Sequence, residues 1–145
     1  MKIVFLDQFG CFASVVLAAY CSGALSPKAV KTKDILNLPH FADAENFQPG
    51  ELFFLGKDQV ENNYYTLGAG SYSSFIMNVV WPDLKKIGEI KETIVLYDAN
   101  SLNSFFLILL EILSQGRLRK ITKYFWALWF TQVKRRLIEK VLKQI

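Results

Sequence analysis

Two aspartates each close an apolar run. Asp7 follows Ile3-Val4-Phe5-Leu6, and Asp98 follows Ile94-Val95-Leu96-Tyr97. Carboxylates at the ends of neighbouring parallel strands can hold Mg²⁺ through water or divide acid and base roles. Each can equally cap the turn behind it by accepting backbone N–H bonds. Beyond Asp7 runs Gln8-Phe9-Gly10-Cys11-Phe12-Ala13-Ser14, a turn leading into an apolar helix. Exposed amides at a helix N-terminus attract anions, and glycine at position 10 lets backbone approach a phosphate. The phosphate-loop pattern with its lysine is absent, and Phe9 and Phe12 make the turn apolar. A second glycine-bearing stretch, Gly68-Ala69-Gly70-Ser71, can add backbone donors to the same cleft or serve as a flexible exit from a hairpin. The candidate ligand-binding set is therefore Asp7, Gly10, Cys11, Ser14, Gly68, Gly70, Ser71 and Asp98, with an anionic small molecule as its ligand.

Nucleophilic and metal chemistry find little support. Cys11 stands at a predicted helix N-terminus, where thiol pKa values fall. The sole histidine, His40, lies far off in sequence behind Pro39. Zinc would need more Cys and His ligands at recognisable spacing. No cofactor is identified. Cys11 and Cys21 make no disulfide framework, which suits a reduced, cytoplasmic chain.

These residues need strands and helices to position them. Residues 3–6 and 93–98 are continuous apolar runs of strand formers, expected as parallel, central strands covered on both faces. Residues 14–23 read as a helix, with Ser22-Gly23 as its stop. Residues 32–38 read as a short helix capped by Thr32. Residues 52–56 and 63–68 form a hairpin. Ser71 or Ser73 starts a helix to about Lys86, which Pro82 ends or kinks near Trp81. Asn100 or Ser101 starts an apolar helix through Ser114. Residues 124–130 are ambiguous: aromatic density favours a strand, and continuity with residues 132–144 favours one long helix. A strand followed by a helix is taken as the expectation. The order predicts one α/β domain over residues 1–145, three-layered, with a mostly parallel sheet of about five strands and a hairpin insertion.

The totals agree with such a domain. A chain of 145 residues hides roughly 68–70% of its unfolded surface, and 52% hydrophobic residues exclude disorder as the main state. Seventeen basic and thirteen acidic residues give +4. The charge is uneven: residues 115–145 carry nine basic residues and one acid, Glu139. This segment mixes Tyr124, Phe125, Trp126 and Trp129 with Lys120, Lys123, Lys134, Arg135 and Arg136. It is either a solvated helix face, with Val133, Leu137, Val141 and Leu142 packed beneath, or a surface for a protein partner or a membrane. Nucleic-acid motifs are absent. A signal peptide is not expected, because Asp7, Gln8 and Gly10 interrupt the first apolar run. Nor does any run reach the ~18 apolar residues of a membrane-spanning helix.

Four segments carry a resemblance. The strand-to-helix start with Gly10, Ser14, Val15 and Val16 comes first, then Ile35-Leu36-Asn37-Leu38-Pro39-His40-Phe41. Tyr65-Thr66-Leu67-Gly68-Ala69-Gly70 and Ile94-Val95-Leu96-Tyr97-Asp98 follow. In that order they resemble a bacterial family, domain of unknown function 3189, found mainly in spore-forming Gram-positive bacteria. The family's usual opening turn resembles Gly-Gly-x-His-Ser-Ser. Here Phe9, Phe12 and Ala13 depart from it, and only Gly10 and Ser14 match. The resemblance implies that any chemistry resting on that histidine is missing from this chain. The function expected is a non-catalytic or weakly catalytic α/β domain with an anion cleft at the strand C-terminal edge, or an interaction module using the basic aromatic C-terminus.

Overall fold

The computed structural model describes residues 1–26, 29–46, 48–87, 93–102, 104–114 and 116–133. Strand β1 (Lys2–Asp7) is its axis. Helices α1 (Ala13–Cys21) and α2 (Thr32–Leu36) follow, then the hairpin β2 (Leu52–Lys57) and β3 (Asn63–Gly68). A helical segment then runs through a 3-10 turn (Gly70–Tyr72), α3 (Ser73–Phe75), a π turn (Ile76–Val80) and α4 (Trp81–Ile87). Strand β4 (Ile94–Asp98), a 3-10 turn (Ala99–Leu102), α5 (Phe105–Leu113) and α6 (Arg119–Val133) complete it.

Among the described residues the sheet has four strands, in the order β2-β3-β1-β4. β1 is parallel to both β3 and β4, and β2 is antiparallel to β3. The architecture is α/β with a mixed sheet, close to expectation but one strand short. Residues 124–130, expected as a strand, lie within α6 instead. The period explains the difference: Trp126, Ala127 and Phe130 are buried while Tyr124 and Phe125 are exposed, which one face of a helix achieves, whereas a strand would turn Trp126 and Ala127 to opposite faces and Tyr124 to the same face as Trp126. With no fifth strand among the described residues, β4 is an edge strand rather than a central one. All five of its residues are half-buried.

β1 earns its central place by being apolar on both sides. Ile3 and Phe5 face α1, with the Phe5 ring stacked on Tyr64 and Tyr97 at 6.4 and 5.7 Å. Val4 faces the other way, where a cavity of about 340 Å³ between the sheet and the α3–α4 segment is lined by Tyr65, Leu67, Ile76, Trp81 and Leu96 among others. Helices thus cover both faces, tightly on the α1 side. There Phe12, Phe41, Trp126 and Phe130 interlock, with ring centroids 4.6–5.8 Å apart.

Local expectations shift in two places. Lys31, not Thr32, occupies the N-cap of α2, and its N–H donates to Asp34 Oδ2 at 2.8 Å. Pro82 does not end its helix. The π turn before it, in which the Trp81 N–H reaches Ile76 O, absorbs the irregularity a proline imposes, and α4 continues past the ring. Neither Ser71 nor Ser73 makes a capping bond there.

Candidate functional site

The three parallel strands end together. Asp7 pairs with Gly68, and Leu6 with Asp98, so the β1–α1 turn, residues 68–71 and residues 98–100 share one edge of the sheet. Backbone bonds tie them: Ala69 N–H donates to Asp7 O at 2.8 Å, and Gly70 N–H to Gln8 O at 2.9 Å. Asn100 bridges further, accepting from Gln8 N–H at 3.2 Å and donating to Ser73 Oγ at 2.9 Å.

Asp7 is fully buried at the centre of this edge. Its Oδ1 accepts the N–H groups of Phe9, at 3.0 Å, and Gly10. Its Oδ2 accepts those of Phe12 and Ser14, at 3.3 and 2.9 Å. A positive φ of 74° at Gly10 turns the amides inward, a conformation that suits glycine. The amides that an external anion would use at the start of α1 are thus held by the chain's own carboxylate. Burial pushes the Asp7 carboxyl above its ordinary value, against the opposing pull of Ser14, Gly10 and Phe12. Ser14 Oγ and Thr66 Oγ1 are in hydrogen-bond contact, and Thr66 donates to Gly10 O at 2.6 Å. Asp7, Gly10, Ser14 and Thr66 form one buried polar cluster.

Asp98 shares the edge but not the cluster. Residues paired across parallel strands project to the same face, so Asp98 goes with Leu6 and away from Asp7. Its Oδ1 accepts Asn100 N–H at 3.0 Å, a turn-capping bond. The two carboxylates have separate partners, and among the described residues no group of three or more His, Cys, Asp or Glu side chains could hold a metal ion. Ser71 is exposed beside this edge. Cys11 is buried, and burial first, then the Asp7 charge, pushes its thiol well above the ordinary value, the reverse of activation. Burial likewise pushes Cys21 up to about 12. His40 packs on the Phe53 ring at 5.1 Å. A cavity of about 440 Å³ lined by Met1, Lys2, Asn63 and Thr93 opens at the opposite edge, where the parallel strands begin.

A family model described as protein of unknown function, DUF3189, matches residues 2–144. The chain belongs to this DUF3189 family. No curated protein and no solved structure matches it. The family description assigns no activity, so the DUF3189 chain is read from its own surface.

On that surface α5 adds, to the aromatic residues 124–129 that the sequence singles out, an exposed apolar face that the residue patterns did not. In α5, Phe105 (84% exposed), Phe106, Leu109, Ile112 and Leu113 face solvent. Their spacing puts them within one ~120° sector, opposite the buried Leu107, Leu110 and Glu111. In α6, Ile121, Tyr124, Phe125 and Trp129 face outward, opposite Thr122, Trp126 and Phe130. The Phe106 and Trp129 rings meet at 4.9 Å and join the two faces into one. Trp126 Nε1–H donates to buried Glu111 Oε1 at 3.0 Å and ties α5 to α6. Arg119 fixes α6 at the edge, donating to Ala42 O at 3.2 Å and to Asp43 and Glu45 at 2.8 Å each. Exposed Arg117 and Lys120 stand beside Leu118 and Ile121. The packed face expected of residues 134–145, with Lys134, Arg135 and Arg136, lies outside the described residues. The available signal was the 3.6 period in residues 105–113 and 119–130, which places apolar residues on both sides of α6.

Proposed function

We propose that this protein is a non-catalytic binding domain whose working surface is the outward face of α5 and α6. One observation carries the reading: α6 buries one apolar side and presents a second, aromatic one to solvent, continuous with the exposed side of α5. A helix that is apolar on both sides is suited to being covered on both. Exposed apolar area of this extent on a soluble domain marks an interaction site. The strand edge, the expected anion cleft, supports ligand binding less well, since its inward amides already have an acceptor in Asp7.

Two measurements test this together. Inorganic phosphate and nucleoside triphosphates are expected to leave the melting temperature of the wild type unchanged. Asp7→Ala, which strips four amides of their acceptor, is expected to cost about 3 kcal/mol, partly restored by formate entering the vacated space. Phe105→Ser with Ile121→Ser is expected to melt like the wild type and bind much less of a hydrophobic dye. A phosphate- or nucleotide-dependent rise in wild-type melting temperature would return the working site to the strand edge.

A further inference from the structure

We infer that the α5–α6 face docks on an anionic lipid bilayer, lying in its interface without crossing it. The inference rests on that face being the working surface and adds the chemistry of its partner.

Three features select a bilayer. First, the composition is that of an interfacial helix: bulky aliphatic residues and phenylalanines, with Trp129 and Tyr124, amphipathic rings that favour the headgroup level, among them. Second, positive charge borders the apolar area at the start of α6, where Arg117 and Lys120 are exposed next to Leu118 and Ile121; in the sequence, residues 115–145 carry nine basic residues against one acid. Arg119 is not available for this, being engaged with Asp43 and Glu45. Basic residues beside an apolar face complement anionic headgroups, which a neutral surface would not reward. Third, the same charge argues against a second copy of the chain as the occupant. A two-fold interface sets a patch against itself, so two copies with their α6 helices side by side in the same direction would bring their Arg117 and Lys120 together. No helix among the described residues is long and apolar enough to cross a membrane, which leaves docking on the surface.

The test is flotation of the full chain with phosphatidylglycerol–phosphatidylcholine vesicles and with phosphatidylcholine vesicles, at low and physiological salt. The expected result is binding to the anionic vesicles, weakening with salt, with a blue shift in tryptophan emission that Trp129→Phe abolishes. Arg117→Gln with Lys120→Gln is expected to weaken binding by about fivefold per charge removed. Phe105→Ser with Ile121→Ser, exposed positions whose replacement leaves the core untouched, is expected to abolish it. Equal binding to both vesicle types, or no binding at low salt, overturns the lipid assignment. If, in that case, light scattering shows a dimer that Phe105→Ser with Ile121→Ser converts to monomer, the α5–α6 face remains the working surface and a second copy is its partner. If those substitutions also leave dye binding unchanged, the working-surface reading fails with it.

Discussion

Gly68 shows how a single residue closes the strand edge. It sits opposite Asp7 in the β1–β3 pair, and a Cβ built on it would lie 2.9 Å from the Phe9 carbonyl oxygen. That oxygen belongs to the turn whose amides hold Asp7, so it cannot retreat without disturbing those bonds. The glycine is required for close approach, whereas the residue pattern suggested flexibility. Gly68→Ala is therefore expected to destabilise the fold by about 1–3 kcal/mol, as overpacking does. A lowered urea midpoint with an unchanged slope checks it. Gly70→Ala gives a useful contrast: nothing lies within 4 Å of its Cβ position, but its φ of +55° strains any L side chain there. Asp7 makes the same point about what residue types reveal. Its position at a strand end was legible. Its side-chain partners were not, because an anion-binding turn and a turn that binds its own carboxylate present the same residues in the same order.

Among the elements, α6 is held by both packing and charge. Its first residue, Arg119, reaches the segment after α2, where Ala42 adopts a positive φ of 56° and donates its N–H to Cys11 O at 2.8 Å. Asp43 receives the guanidinium. Asn46 first, and Arg119 with it, hold the Asp43 carboxyl below its ordinary value. A depressed carboxylate stabilises the fold above its unfolded pKa near 4 and loses that contribution as pH falls through the folded value. Asp43→Asn is expected to cost up to about 1 kcal/mol at neutral pH, typical of a partly exposed ion pair, and less at pH 3. Paired denaturation curves at the two pH values check this; an equal loss at both would assign the effect to packing rather than charge. The aromatic density of residues 124–130 favours a strand, because aromatic residues are enriched there. The helical pattern of buried Trp126, Ala127 and Phe130, and the buried Trp126–Glu111 bond that it permits, outweighed that preference. By contrast β1, α1 and the β2–β3 hairpin were legible, since their apolar runs and turn residues point the same way as their packing; β4 was legible as a strand, but its apolar run did not reveal its place at the edge.

For the whole molecule, the placement of that one element decides which strand is protected. Because residues 124–130 pack as a helix, β1 is flanked on both sides and β4 on one. Val4, Phe5, Leu6 and Asp7 are buried, and their neighbours on β3 and β4 pair with them in register. The α1 side of the sheet carries the continuous core, while α4 contributes no buried residue to the opposite side. Amide exchange should follow this gradient, because protection reflects the free energy of the smallest opening that exposes each bond. The amides of β1 are expected to exchange only through global unfolding. Those of α4 are expected to exchange much faster, through local opening of a segment that rests on a cavity of about 340 Å³. Native-state exchange read by mass spectrometry or NMR along a denaturant series distinguishes the two. Protection of α4 equal to that of β1 would show that the second face of the sheet is as tightly closed as the first, and would overturn this division of the fold into a firm layer and a loose one.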